Sequence, residues 1–142
     1  MGAEAGTGAA AIAAETLWGV WELVSWTRVD ADGTVTYPFS DRASGRLIYH
    51  PEGWMSGFLM DPAHLEAPPG GARTVMTYTA RYRLDGEIVV HDVDIATDRN
   101  MIGVALRRRV VRTAEGMVLE TLAPVGRAAR DSVHRLAWRR PA

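Results

Sequence analysis

The sequence has no cysteine and no lysine. Without cysteine there are no disulfides, zinc-thiolate sites or thiol nucleophiles. Without lysine there is no Schiff-base or lysine-base chemistry, because all 16 basic residues are arginine. An excess of one charge is also missing: 16 basic and 17 acidic residues leave a net charge of -1. That balance favours neither nucleic acid nor an anionic membrane as a partner. Long apolar runs are lacking. The run Ala9 to Ala14 is too short and too weak for a signal-peptide core, and acidic Glu4 stands where basic residues belong. No stretch approaches a membrane span, so a cytoplasmic protein is expected. Gly-rich phosphate loops, P-loops and nucleophile elbows are absent as well. The four histidines His50, His64, His91 and His134 show no short metal-ligand spacing. Neither a metal nor a cofactor is expected.

What is present is a chain of 142 residues, 47% hydrophobic and 23% charged, the balance of one soluble globular domain. Turn signals recur at Asp30 to Gly33, Pro51 to Gly53, Asp85-Gly86 and Ala114 to Gly116. Between them lie runs rich in Val, Ile, Thr, Tyr and Trp. These runs predict strands near 18–29, 34–37, 45–50, 54–60, 74–84, 87–96, 104–113, 117–123 and 132–139. The tight turns make consecutive strands antiparallel neighbours. The expected fold is therefore all-β: a single antiparallel up-and-down barrel of eight or nine strands, which removes its own edges by closing. About eight strands leave just enough room for a small ligand. Residues 1–16 are expected to form a flexible tail and a short helix over Ala9 to Thr16, and residues 17–142 the barrel. Two longer connections, Asp61 to Arg73 and Pro124 to Asp131, break the regularity. Either is a surface crossing or a loop at the barrel mouth.

Alternation along each strand separates an inward from an outward set. Strand 74–84 turns Met76, Tyr78, Ala80, Tyr82 and Leu84 inward. Strand 87–96 turns Val89, His91, Val93 and Ile95 inward, leaving Asp92 and Asp94 outside to pair with arginines of a neighbouring strand. Strand 104–113 splits Arg107-Arg108-Arg109 and puts Arg108 inside. Strand 132–139 takes His134, Leu136 and Trp138 inward. Glu120 or Thr121 joins them. Polar groups on an apolar face need partners. Either they satisfy one another, Arg108 with Glu120 and His91 with a tyrosine hydroxyl, or they line a cavity and hold a ligand. Trp21 is expected in the core at the barrel base and Trp54 at a mouth. Trp26 has the opposite parity from Trp21, which places it outside, at a homodimer interface or under the N-terminal segment.

Several motifs carry a family resemblance. Gly19-Val20-Trp21, followed by Leu23, Val24, Ser25 and Trp26, opens the first strand. Asp32-Gly33 and Tyr37-Pro38-Phe39 follow. Next comes the hairpin Gly45-Arg46-Leu47-Ile48-Tyr49 with Pro51 to Ser56, then Tyr82 to Gly86 and His91-Asp92-Val93-Asp94. Asn100, Gly103 and Arg108 complete the series. This pattern resembles the bacterial and fungal lipocalin-like domain family. Two departures bear on the cavity: Met101 lies where the family has an aromatic nearby, and His91-Asp92 stands where it often has two histidines. The resemblance implies an antiparallel barrel around a central cavity. Small barrels of this sort occur in natural-product pathways, some as cofactor-free cyclases of polyketide-like substrates and others as carriers.

The leading expectation is a cyclase for cycloaddition or oxa-Michael ring closure. Tyr49, Trp54, Met55, Phe58, Met76, Tyr78 and His134 would shape a hydrophobic substrate into a reactive conformer. His91, Arg108 and Tyr82 would polarise a carbonyl or move a proton. The alternatives are a non-catalytic carrier using the same cavity, and an interaction module with a filled barrel and Trp26 on a partner surface.

Overall fold

The computed structural model describes residues 11–68, 73–122 and 132–142. It contains nine strands among these residues: β1 (Gly19–Asp30), β2 (Val35–Thr36), β3 (Ser44–Tyr49), β4 (Trp54–Met60), β5 (Val75–Asp85), β6 (Ile88–Ala96), β7 (Ala105–Arg112), β8 (Gly116–Thr121) and β9 (Ser132–Arg139). All described pairings are antiparallel. From β3 to β9 each strand pairs with the next in sequence. Residues Gly19 to Glu22 of β1 pair with β3, and residues Glu22 to Asp30 pair with β9. This double engagement closes an eight-stranded barrel, with β2 as a short extra strand on β1. The N-terminal helix expected over Ala9 to Thr16 is, among the described residues, a single 3-10 turn at Ala14–Thr16. No helix among the described residues is long and apolar enough to cross a membrane.

The two ends of the barrel differ for reasons visible in the turns. The β3–β4, β5–β6 and β7–β8 connections are tight and share one end. Gly53 and Gly86 allow the first two, with φ of +95° and +63° that residues bearing a Cβ rarely adopt. Trp21 plugs this base, donating its indole N–H to the Leu17 carbonyl at 2.9 Å. The Arg140 guanidinium caps the Trp21 ring at 3.7 Å from the ring centre. Leu17, Tyr49, Met55, Val89, Val110 and Met117 are also buried. The longer connections lie at the opposite end. Of the two that the sequence marks as candidate mouth loops, Asp61 to Arg73 contains a 3-10 turn, Pro62–Leu65, whose first N–H groups Asp61 caps. Residues 69–72 of that connection, and Pro124 to Asp131, lie outside the described residues.

Two bulges correct the simple alternation. The β1–β9 register skips Val24 between Leu23 and Ser25. Trp21, Leu23 and Trp26 therefore all point inward, and Trp26 is 6% exposed. The outward Trp26 of the sequence reading, and the partner surface built on it, are overturned by this one extra residue. The β5–β6 register skips Asp94 in the same way. Ile95, expected inside, is 66% exposed, and Ala96 packs on the core instead. Outside, Asp92 pairs with Arg83 at 3.2 Å, whereas Asp94 accepts from the Thr79 hydroxyl at 2.6 Å.

Candidate functional site

Above the Trp21 plug the barrel encloses a cavity of about 270 Å³. Its wall is mostly apolar, with Trp26, Leu47, Leu59, Met76, Leu106 and Leu119 among the lining residues. Five lining residues are polar: Tyr78, His91, Arg108, Thr121 and His134. Alternation on β5, β6, β7 and β9 carries Tyr78, His91, Arg108 and His134 there, as it carries their apolar neighbours.

His91 is the centre of the polar group. It is 1% exposed and is held on both ring nitrogens. The Tyr49 hydroxyl lies 2.7 Å from Nε2 and the Tyr78 hydroxyl 2.7 Å from Nδ1. Burial pushes the imidazole down from 6.5 to about 3, and the Arg108 charge adds to this. His91 is thus neutral, with one nitrogen donating and the other accepting. Tyr49 is fully buried and its hydroxyl has no other acceptor among the described residues. An orphaned hydroxyl there would cost about 1–3 kcal/mol. Tyr49 therefore donates to Nε2, and the Nδ1–H donates to the Tyr78 oxygen. The Tyr78 proton is left to point into the cavity, polarised by the chain behind it. Burial raises both tyrosines above their ordinary value, Tyr49 well above, so both keep their protons.

Arg108 reaches the cavity from β7. Its described hydrogen bond runs to the Arg107 carbonyl at 3.0 Å. No carboxylate among the described residues pairs with it. The Glu120 partner considered from sequence faces outward and binds Arg135 at 3.3 Å, because Glu120 stands opposite Arg109 while Thr121 stands opposite Arg108. His134 accepts the Trp26 indole N–H on Nδ1 at 2.9 Å, which puts its own ring proton on Nε2. Burial, with the charges of Arg28 and Arg108, lowers its pKa. Trp138 also lines the cavity, and its buried indole N–H has no partner among the described residues.

The remaining site residues read from the sequence divide by position. Met76 and Phe58 line the cavity, although Phe58 is 44% exposed. Tyr49 stands behind the cavity and acts on it through His91. Met55 is buried in the core outside the lining. Tyr82 does not line the cavity; its hydroxyl donates to the His50 carbonyl at 2.7 Å. Trp54 is on the outer face, 42% exposed, with the Arg81 guanidinium 4.4 Å over its ring. Met55 points inward, so its neighbour must point out, and the β3–β4 turn beside Trp54 is at the closed end. Trp26, Gly57 and Met101 line the cavity without having been picked out as ligand contacts, and Thr121 rather than Glu120 is the β8 residue that joins the polar lining. For Trp26 the only available signal was the register of β9, which its own strand does not reveal. Among the described residues no group of three or more acidic or histidine side chains could hold a metal ion.

An apolar barrel cavity with a few converging polar groups suits a small hydrophobic molecule. No curated protein matches the chain. The profile of the lipocalin-like domain family matches residues 18–141, nearly the whole barrel and both of its closing strands. The chain belongs to the lipocalin-like domain family.

Proposed function

We propose that this protein binds one hydrophobic small molecule inside the barrel, with an oxygen of that molecule facing Tyr78 and Arg108. The observation that carries this reading is the convergence of those two donors on a mostly apolar cavity of about 270 Å³. Gly57 offers a test. A Cβ there would meet only Leu47 and Tyr78 atoms, at 3.8 and 3.9 Å, so a larger side chain can grow into the cavity. Gly57→Leu is expected to abolish binding of small aromatic probes while the barrel still unfolds cooperatively. Binding that survives in this variant places the ligand elsewhere and defeats the reading.

A second reading, cofactor-free cyclisation of a polyketide-like substrate, is favoured by the free Tyr78 proton. In an oxa-Michael closure a C–O bond forms, charge builds on the enone oxygen, and the hydroxyl proton ends on the α-carbon. Donors fixed at that oxygen lower the barrier, and confinement of the chain supplies the rest. His91 is unsuited to carrying the proton, since both nitrogens are engaged. His134 Nε2 carries a proton in the neutral ring and is a donor, so substrate or water would have to relay the proton. Incubation of linear hydroxy-enones with the protein, followed by mass spectrometry and chromatography, decides between catalyst and carrier. Ring closure no faster than in buffer leaves the carrier.

A further inference from the structure

We infer that the cavity selects ligands bearing a carboxylate, with Arg108 as the counter-charge and Tyr78 as the second donor. This rests on the binding reading above and adds the charge of the ligand's head group.

The first observation is an imbalance of donors. A guanidinium carries five N–H donors and cannot lose its charge. Arg108 spends one described hydrogen bond on the Arg107 carbonyl, and among the described residues no aspartate or glutamate lines the cavity. Seven arginines of the outer surface, Arg28, Arg46, Arg73, Arg83, Arg109, Arg135 and Arg139, are paired with acids. Arg108, which lines the cavity, has no acid beside it among the described residues. A part-buried cation facing an apolar cavity loses hydration without gaining a counter-charge, and an anionic ligand supplies one.

The second observation is independent of Arg108. Burial of Tyr49 fixes the direction of the Tyr49–His91–Tyr78 chain, which leaves the Tyr78 O–H as a donor into the same space. The buried Trp138 indole N–H is a further donor with no acceptor among the described residues. His134, with Nδ1 occupied by Trp26, presents its Nε2–H. The polar lining is therefore rich in donors and poor in acceptors. The Arg108 charge lowers His91 and His134 and favours ionised Tyr49 and Tyr78, as an unpaired cation facing all four would. A planar carboxylate on an apolar body matches a fork of guanidinium N–H groups and one hydroxyl. An ammonium does not.

The test uses three ligands of one shape on the full-length protein: 2-naphthoate, 2-naphthalenemethanol and 2-naphthylmethylammonium, titrated by calorimetry. Naphthoate is expected to bind at least about tenfold more tightly than the alcohol, and the ammonium not measurably. Arg108→Met should bring naphthoate down to the affinity of the alcohol, and Tyr78→Phe should weaken naphthoate several-fold. Equal affinities for acid and alcohol in the wild type overturn the carboxylate inference and leave the binding reading standing. A preference that persists in Arg108→Met overturns the role of that residue. If Arg108→Met does not fold, the wild-type comparison and Tyr78→Phe decide. Failure of both acid and alcohol to bind removes the binding reading and this inference together. Naphthoate binding that survives Gly57→Leu marks a surface arginine site and overturns the inference.

Discussion

His91 shows how much one buried side chain determines. Its ordinary pKa of 6.5 falls to about 3 in the folded protein. Between those values the unfolded chain binds a proton that the folded chain refuses. Stability conferred by neutral His91 is therefore complete above pH 6.5 and declines as the pH falls towards 3, by up to about 1.4 kcal/mol per pH unit. Lowering of the half-buried His134 acts in the same direction. Urea unfolding between pH 7 and pH 4 should show this slope, and His91→Gln should flatten it. A slope unchanged in the variant would assign the effect to other groups. Tyr49→Phe removes the donor to Nε2 and should cost about 1–3 kcal/mol at neutral pH. In the wild type, nitrogen NMR should find the His91 proton on Nδ1; a proton on Nε2 would reverse the chain and withdraw the Tyr78 donor. The inward direction of His91, Arg108 and Tyr78 was legible from alternation alone. A tyrosine hydroxyl on His91 was one of the alternatives the residues offered. Which tyrosines, and on which nitrogens, was not legible, because hydrogen bonds between β3, β5 and β6 depend on how the strands stack.

At the scale of the strand, all nine elements were legible, since β-branched and aromatic runs between turn residues leave little choice. The two bulges were not. Leu23-Val24-Ser25 and Val93-Asp94-Ile95 read locally as plain alternation, and the skipped residue is defined only by the register of the neighbour. Deleting Val24 should remove the bulge and leave Trp26 opposite Leu136, so that the ring stays inward and tryptophan emission and ligand binding persist. A red-shifted emission with loss of binding would mean that the extra residue is needed to seat the ring. Gly45 tests close packing on β3. A Cβ there would lie 2.7 Å from the Phe58 carbonyl oxygen and 2.9 Å from a Leu59 methyl. Gly45→Ala should cost about 1–3 kcal/mol in denaturant unfolding, because the backbone cannot yield as a side chain would.

For the whole molecule the division of labour runs along the barrel axis. Tight turns, Trp21 and Arg140 close one end, and the cavity lies in the barrel above them. Closure through β1, which holds β3 with one half and β9 with the other, makes wall and cavity one cooperative unit. A ligand bound inside should therefore stabilise the entire barrel by mass action. At a concentration of one hundred times its Kd the gain is about 2.7 kcal/mol. The melting temperature should rise with ligand concentration, in a single transition, for wild type and not for Gly57→Leu. A two-step melt would show that the cavity end opens separately from the base.

The sequence by itself determined the strand count, the meander order, the turns and the inward direction of most polar residues. These follow from local preference and a period of two. Tertiary structure alone decided what depends on register and on neighbours distant in sequence: that Trp26 is inside, that Trp54 and Tyr82 stand apart from the cavity, and that Glu120 turns away from Arg108. The missing lysine and cysteine had already reduced the chemistry to arginine, histidine, tyrosine and shape. Only the closed barrel shows that one arginine is turned inward with no acid beside it among the described residues.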